Sequence, residues 1–400
     1  MSTLRKATHL LRIISPIAVV YTVIVLVLLS LTSCVKHGNN PINTDISLCA
    51  FIISDNDLDD HTVYIENDFV RGLKGCPVGT ELFLYIDRQI EMPSLRHLIL
   101  LESGQVAIKK TWNYDEQCST SPEVFRNILS TMIKNSSGRQ YGLFYWSHGN
   151  GWLPGLNPDQ ANGSSTRSLG ADGAYSMNIS DFASVLSETK VPFFTVLDAC
   201  YMGSVEVAYE LRNSTDYLIA SSAETLGVGF PYYLMIPELV KGTRQAMTSS
   251  LDKYLEFCYT DFYQDGQNSG MASLTDCSQM DSLASSFKNI VKCSIWSHDE
   301  FDSIQSFDGP YSHLYYDLGQ YAATVAENGE QLEAFNEQLD RTVIYKVTTP
   351  SVYNSSALPD NILEVNHFSG LSSYIPGVNS YYDWLYSMTD WYKFCYGTQE

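Results

Sequence analysis

The chain has 400 residues, 44% of them hydrophobic, which is enough apolar material for a sizeable core in one large domain or two and excludes fibrous, low-complexity and disordered classes. Lysine and arginine number 24 against 45 aspartate and glutamate, a formal net charge of -21 that argues against nucleic acid as a partner, since such a surface repels phosphate. Nine cysteines without a CxxC pair make neither a disulfide framework nor a structural zinc site.

In chain order, Arg5, Lys6 and Arg12 precede an apolar run from Ile13 to Leu31, and no acidic residue appears before Asp45. That layout predicts a secretory signal over residues 1–33. The run closes on Leu31-Thr32-Ser33-Cys34, which resembles a bacterial lipobox and implies lipidation of Cys34 and attachment to a membrane of the cell envelope. A transmembrane anchor with an incidental cysteine is the alternative. Residues 34–46 are polar, contain Gly and Pro, and read as a tether.

From residue 47 onward, short apolar runs alternate with amphipathic stretches. SLCAFII (47–53), ELFLYID (81–87), HLILLES (97–103), YGLFYWS (141–147), FFTVLDA (193–199) and YLIASSA (217–223) read as strands, and PEVFRNILSTMI (122–133) and SVEVAYEL (204–211) as helices. The alternation predicts an α/β fold with a mostly parallel sheet flanked by helices, its core spanning residues 47–230. Residues 153–176 read as a long exposed loop rich in Gly, Asn, Ser and Pro. Residues 231–400 read as a helical extension completing the same domain, with a late strand-like FSGLSSYIP at 368–376.

Two strand ends carry chemistry. YGLFYWSHGNGW places His148 before Gly149, and FFTVLDACYMGS places Cys200 just after Asp198, 52 residues further on. Ligands gather at the carboxyl edge of open α/β sheets. There an imidazole can take the proton of a thiol, or pair with its thiolate, and so make a nucleophile.

These motifs resemble the clostripain family of cysteine peptidases, relatives of gingipains and caspases. SDNDLDD (54–60) is similar to the family's acidic turn, SHGNGW (147–152) to its histidine motif and LDACYMGSVEVAYEL (197–211) to its cysteine motif, and YLIASSAETLGVGFPY (217–232) and FSGLSSYIP resemble its downstream motifs. The resemblance implies a caspase-like fold and an endopeptidase that cuts protein or peptide substrates after basic residues, Arg before Lys. It further implies His148 as general acid and base and Cys200 as nucleophile, with the backbone N–H groups of Gly149 and Cys200 holding the oxyanion. Asp198 matches the acidic residue of the S1 pocket, where it would pair with a basic substrate side chain. Glu224 is a candidate second pocket acid and Trp152 a candidate pocket wall. Asp198 has a structural alternative, capping the helix that follows.

No cofactor is needed for this chemistry, but the resemblance admits Ca2+. DNDLDDHTVYIE sets Asp55, Asp57, Asp59 and Glu66 at positions 1, 3, 5 and 12 of an EF-hand-like loop, yet Asp60 stands where the turn requires glycine, so an acidic loop and helix cap is the preferred reading. Arg167 is the sole basic residue between His148 and Ser180, which makes it the expected self-cleavage site. A monomer is expected. The competing reading is a catalytically inactive surface lipoprotein that binds peptides or glycans.

Overall fold

Strand β1 (Ile46–Ser54) is buried along its whole length in the computed structural model, which describes residues 45–155, 168–260, 268–291, 298–309, 313–377 and 379–397. The leader, Cys34 and Arg167 lie outside the described residues. Because strand side chains alternate, β1 feeds two cores. Ile46, Leu48, Ala50 and Ile52 face the helices Thr62–Lys74, Tyr232–Leu239 and Arg244–Thr260. Cys49, Phe51 and Ile53 join the opposite core with the helices Pro122–Asn135, Ile179–Thr189, Val205–Glu210 and Met280–Val291.

The central sheet continues through β2 (Glu81–Arg88), β3 (Glu91–Leu100), β4 (Val106–Asn113) and β5 (Gln140–Trp146). After the small hairpin β6 (Leu169–Asp172) and β7 (Tyr175–Met177) come β8 (Phe194–Asp198), β9 (Tyr217–Ala220) and β10 (Met271–Asp276). Strand β11 (Tyr316–Asp317) precedes β12 (Val343–Thr348), β13 (Ser351–Tyr353), β14 (Ile362–Glu364) and β15 (Ser372–Ser373). Nine strands are ordered β12-β10-β9-β8-β5-β1-β2-β3-β4. The run from β9 to β2 is parallel, and antiparallel strands close both flanks. The mixed α/β architecture with a parallel centre agrees with the expected fold class.

One expectation needs correction, and one strand goes unread in the sequence. Residues 231–400 are not only helical, because β10 and β12 extend the main sheet. The stretch at 330–343 runs as helix from Gly329 to Thr342 and turns into β12 at Val343 with no Gly or Pro between, so periodicity alone reads through the boundary. Strand β4, half polar and at the sheet edge, also lacked the apolar signature of its neighbours; its Lys109 and Lys110 suit an edge that must not pair further. Among the described residues no helix is long and apolar enough to cross a membrane.

The carboxyl edge of the sheet collects buried acids. Asp87 closes β2 with both carboxylate oxygens unpartnered, while the Ser119 hydroxyl beside it pairs with Tyr85 Oη at 2.7 Å. Asp172, at the end of β6, accepts the Ser119 N–H, and Asp198 closes β8. Burial raises Asp87 to about 7, Asp172 to about 6 and Asp198 to about 7. Each of these folded values lies above the unfolded one, so the native state binds extra protons between pH ~4 and ~7, and stability falls as pH rises through that window. The thermal midpoint should therefore be lower at pH 8 than at pH 5. Asp87→Asn should stabilise the protein by about 1–3 kcal/mol at pH 8 and by little at pH 4. Equal effects of Asp87→Asn at both pH values in thermal melts would show that this acid does not drive the trend.

Candidate active site

Strands β5 and β8 lie parallel with Trp146 opposite Asp198, so His148 and Cys200 each stand two residues beyond a paired position at adjacent strand ends. Gly149 rests directly on the second of these ends. A Cβ added there would sit 2.7 Å from Ala199 Cβ, 2.8 Å from the Cys200 carbonyl oxygen and 3.1 Å from its nitrogen. Only glycine allows that approach. Gly170 N–H donates to the His148 carbonyl at 2.8 Å and Asn150 N–H to the Ser168 carbonyl at 2.9 Å, so residues 168–170 run antiparallel beside the histidine loop. Tyr315 Oη closes the loop from the other side by donating to the Asn150 carbonyl at 2.7 Å. Among the described residues, no backbone hydrogen bond is donated by the Gly149 or the Cys200 amide.

His148 Nε2 lies 2.6 Å from Asp57 Oδ1. In the sequence Asp57 stands in an acidic turn and at an EF-hand-like position, and nothing local reveals a partner 91 residues away. With Nε2 engaged by a carboxylate, Nδ1 is the ring nitrogen left for another partner. Cys200 Sγ accepts the Thr225 N–H at 3.4 Å, and its side chain lies 3.7 Å from the Thr225 carbonyl oxygen. Burial pushes the thiol up to about 11; the Thr225 N–H opposes this and the Glu224 charge adds to it. Immediately after, Tyr201 adopts φ +62°, a left-handed conformation costing a non-glycine residue about 1–3 kcal/mol. Its ring stacks on Tyr315 at 4.4 Å and its hydroxyl donates to Glu224 at 2.9 Å, contacts that hold the turn.

Asp198 is 1% exposed. Its Oδ2 accepts the Phe230 N–H and the Tyr232 hydroxyl, both at 2.6 Å, while Oδ1 has no partner. Gly229, at φ +66°, passes so close that a Cβ would meet Oδ2 at 2.5 Å. The capping alternative for Asp198 fails, because Ser204 caps the helix Val205–Glu210 by accepting the Val207 N–H at 3.3 Å.

The remaining candidates stand differently from their expected roles. Glu224 borders a narrow cleft with Thr225, Gly229 and Phe230, but both of its oxygens accept bonds from Ser355 and one also from Tyr201, so it acts as a clamp between two loops. Trp152 is buried against Tyr374 and Tyr386 with ring centroids 5.3 Å away, and it lines a different cavity beside Glu206. The EF-hand-like loop is taken apart by ion pairs: Asp57 meets His148, Asp59 meets Arg88 at 2.9 Å and Glu66 meets Arg96. The helix Thr62–Lys74 that follows has no side-chain cap. Among the described residues no group of three or more His, Cys, Asp or Glu is placed to hold a metal ion, so calcium does not fit this loop.

Comparison with known proteins agrees with this geometry. Residues 50–394 match the model of the clostripain family, Peptidase_C11. The chain belongs to the clostripain family of cysteine peptidases. Over 124 residues it is 33% identical to clostripain of Hathewaya histolytica, a match that spans 28% of this chain and only 23% of that curated relative. Among solved structures it is similar to a secreted C11 cysteine protease from Bacteroides thetaiotaomicron in complex with an irreversible peptide inhibitor, at 26% identity and TM-score 0.75 over 87% of this chain and 98% of that one. It is also similar to an inactive zymogen C11 protease from Parabacteroides distasonis, at 28% identity and TM-score 0.74 over 89% and 99% of the two chains.

Gly149→Ala is expected to destabilise the protein by about 1–3 kcal/mol, because the new methyl group has no room against Ala199 and Cys200, and to abolish reaction of Cys200 with a peptide-directed thiol probe. A variant that melts and labels like the parent would show that the close approach is not needed.

Proposed function

We propose that this protein is an endopeptidase that cuts peptides after basic residues, Arg before Lys, through His148 and Cys200. The observation that carries the substrate preference is Asp198: a buried carboxylate two residues before the nucleophile, with one oxygen bonded and the other unclaimed. A guanidinium or ammonium that reached Oδ1 would supply the missing partner, and a buried charge pair discriminates strongly against neutral side chains.

In the proposed reaction His148 takes the thiol proton and Cys200 Sγ attacks the scissile carbonyl. The N–H groups of Gly149 and Cys200 hold the resulting oxyanion. His148 then gives its proton to the departing amine, leaving an acyl-enzyme, and afterwards withdraws a proton from the water that hydrolyses the thioester. Asp57 holds Nε2 through both half-reactions and so keeps the ring turned toward the thiol.

The same reading extends to self-cleavage after Arg167, supported by that residue's solitary basic character and by the zymogen form of a solved relative. It also includes export through residues 1–33 and anchoring of the domain to the cell envelope by lipid on Cys34, supported by the leader's charge and apolar pattern and by the secreted state of another relative.

Hydrolysis of matched fluorogenic peptides with Arg, Lys or Ala at P1 tests the reading. Arg is expected to be cut fastest, Lys next and Ala negligibly, with all turnover lost in Cys200→Ala. Asp198→Asn should reduce Arg turnover by at least about a hundredfold, the scale of removing one partner from a buried charge pair. Arg-blind turnover, or none after a cut at Arg167, would overturn the proposal and leave the peptide- or glycan-binding reading. Asp57→Asn should lower kcat about ten- to a hundredfold while KM and the melting temperature hold. A parallel rise in KM would place Asp57 on the substrate instead.

A further inference from the structure

A cavity of about 230 Å³ lies apart from the thiol, between the histidine loop and the C-terminal helices, and its lining includes Trp152, Ser168, Asn178, Glu206, Glu210 and Leu385. Three buried polar atoms that lack any hydrogen-bond partner belong to this one lining: Trp152 Nε1, Ser168 Oγ and Glu206 Oε2. Glu206 is 3% exposed. Its Oε1 accepts the Ser373 hydroxyl at 3.1 Å and the Tyr374 N–H at 2.9 Å, which fixes the side chain and leaves Oε2 over. The nearby Ser204 hydroxyl caps the helix through Val207 and makes no bond of hydrogen-bond geometry to Oε2. Glu210 brings a second carboxylate to the same lining, and among the described residues no Lys, Arg or His lines it. A buried carboxylate without a cation is costly, so a site of this kind is complementary to a positive group that its described lining does not supply.

Ser168, which shares the lining, directly follows Arg167. We propose that this cavity is an ammonium-binding site, and that its occupant is the α-amino group of Ser168, released when the Arg167–Ser168 bond is cut. The proposal rests on the reading that the protein processes itself there. Hydrolysis breaks the amide C–N bond; water supplies the second oxygen of the Arg167 carboxylate and the hydrogen that turns the Ser168 amide nitrogen into an amine. At neutral pH that amine carries a further proton and a positive charge. It forms an ion pair with Glu206 Oε2, whereas a neutral peptide nitrogen offers a hydrogen bond without a charge. The pairing matters to the thiol chemistry because Ser168 and Gly170 bond to the backbone of Asn150 and His148, with Leu169 opposite Gly149 between them. An ion pair at the first of them secures the strand that holds the histidine loop.

The test uses full-length Cys200→Ala protein, which cannot digest itself, cut after residue 167 by trypsin or by a site-specific protease whose recognition sequence replaces residues 162–167. Acetylation of the Ser168 α-amine is followed by mass spectrometry in the folded and the denatured cut chain. The proposal expects acetylation at least about tenfold slower in the folded chain, equivalent to one unit of added proton affinity, and return to within about twofold of the denatured rate in Glu206→Gln. Glutamine keeps an oxygen for Ser373 and Tyr374, and a melting temperature before cutting no lower than the parent's confirms that the fold survives. Equal rates in folded and denatured chains, or protection that persists in Glu206→Gln, would overturn the proposal. Because an added protease makes the cut, this result is independent of whether the protein cleaves Arg peptides itself.

Discussion

The approach of Gly149 to the Ala199–Cys200 backbone is the contact on which the site depends. It can exist because β5 and β8 are parallel and in register, so the chain leaves both strands at the same height and on the same edge. Three consequences follow from one absent methyl group. The histidine loop sits close to the cysteine loop, the Gly149 and Cys200 N–H groups donate no backbone bond to a described residue, and Ser168 to Gly170 can line the loop's outer side. The hydrophobic sheet beneath supplies no chemistry, but its buried register makes the geometry rigid.

Rigidity also explains how Tyr201 persists in a left-handed conformation. Stacking on Tyr315 and bonding to Glu224 stabilise a turn that a bare loop would abandon. Tyr315 in turn bonds to Asn150, so one aromatic pair ties the cysteine turn to the histidine loop. The C-terminal half is therefore part of the site rather than an appendage: it supplies Tyr315 and the Ser355 donors that lock Glu224.

What could be read from sequence was what is local. His148, Gly149, Asp198 and Cys200 stand at the ends of apolar runs whose strand character is plain from composition, and the strand ends meet because the runs alternate with helices. Asp57 was visible as a residue but not as a partner, because its bond to His148 joins segments that become neighbours only through β1 and β5 pairing. Glu224 failed as a free pocket acid for a similar reason. Its donors lie 131 residues away, and no pattern of charge announces a clamp made by a serine. Trp152 in a glycine-rich stretch reads as a pocket wall or a packing residue with equal ease, and the aromatic neighbours that decide the matter arrive from residues 374 and 386.

Asp198 and Glu206 share one physical predicament. Each is buried, each has one oxygen satisfied by backbone and hydroxyl donors and each has the other oxygen unpartnered, in a chain whose acids outnumber its bases 45 to 24. Burial drives both toward about 7, so the unoccupied fold holds its carboxylates only partly charged near neutrality. A fold selected for stability alone would replace such groups with apolar ones of equal volume. Retaining them makes sense where a cation arrives from outside the folded core: a basic side chain at the first, an ammonium at the second. The destabilisation stored in the empty sites is then the free energy from which binding draws its selectivity, since a neutral group entering either site leaves the desolvated carboxylate as it was.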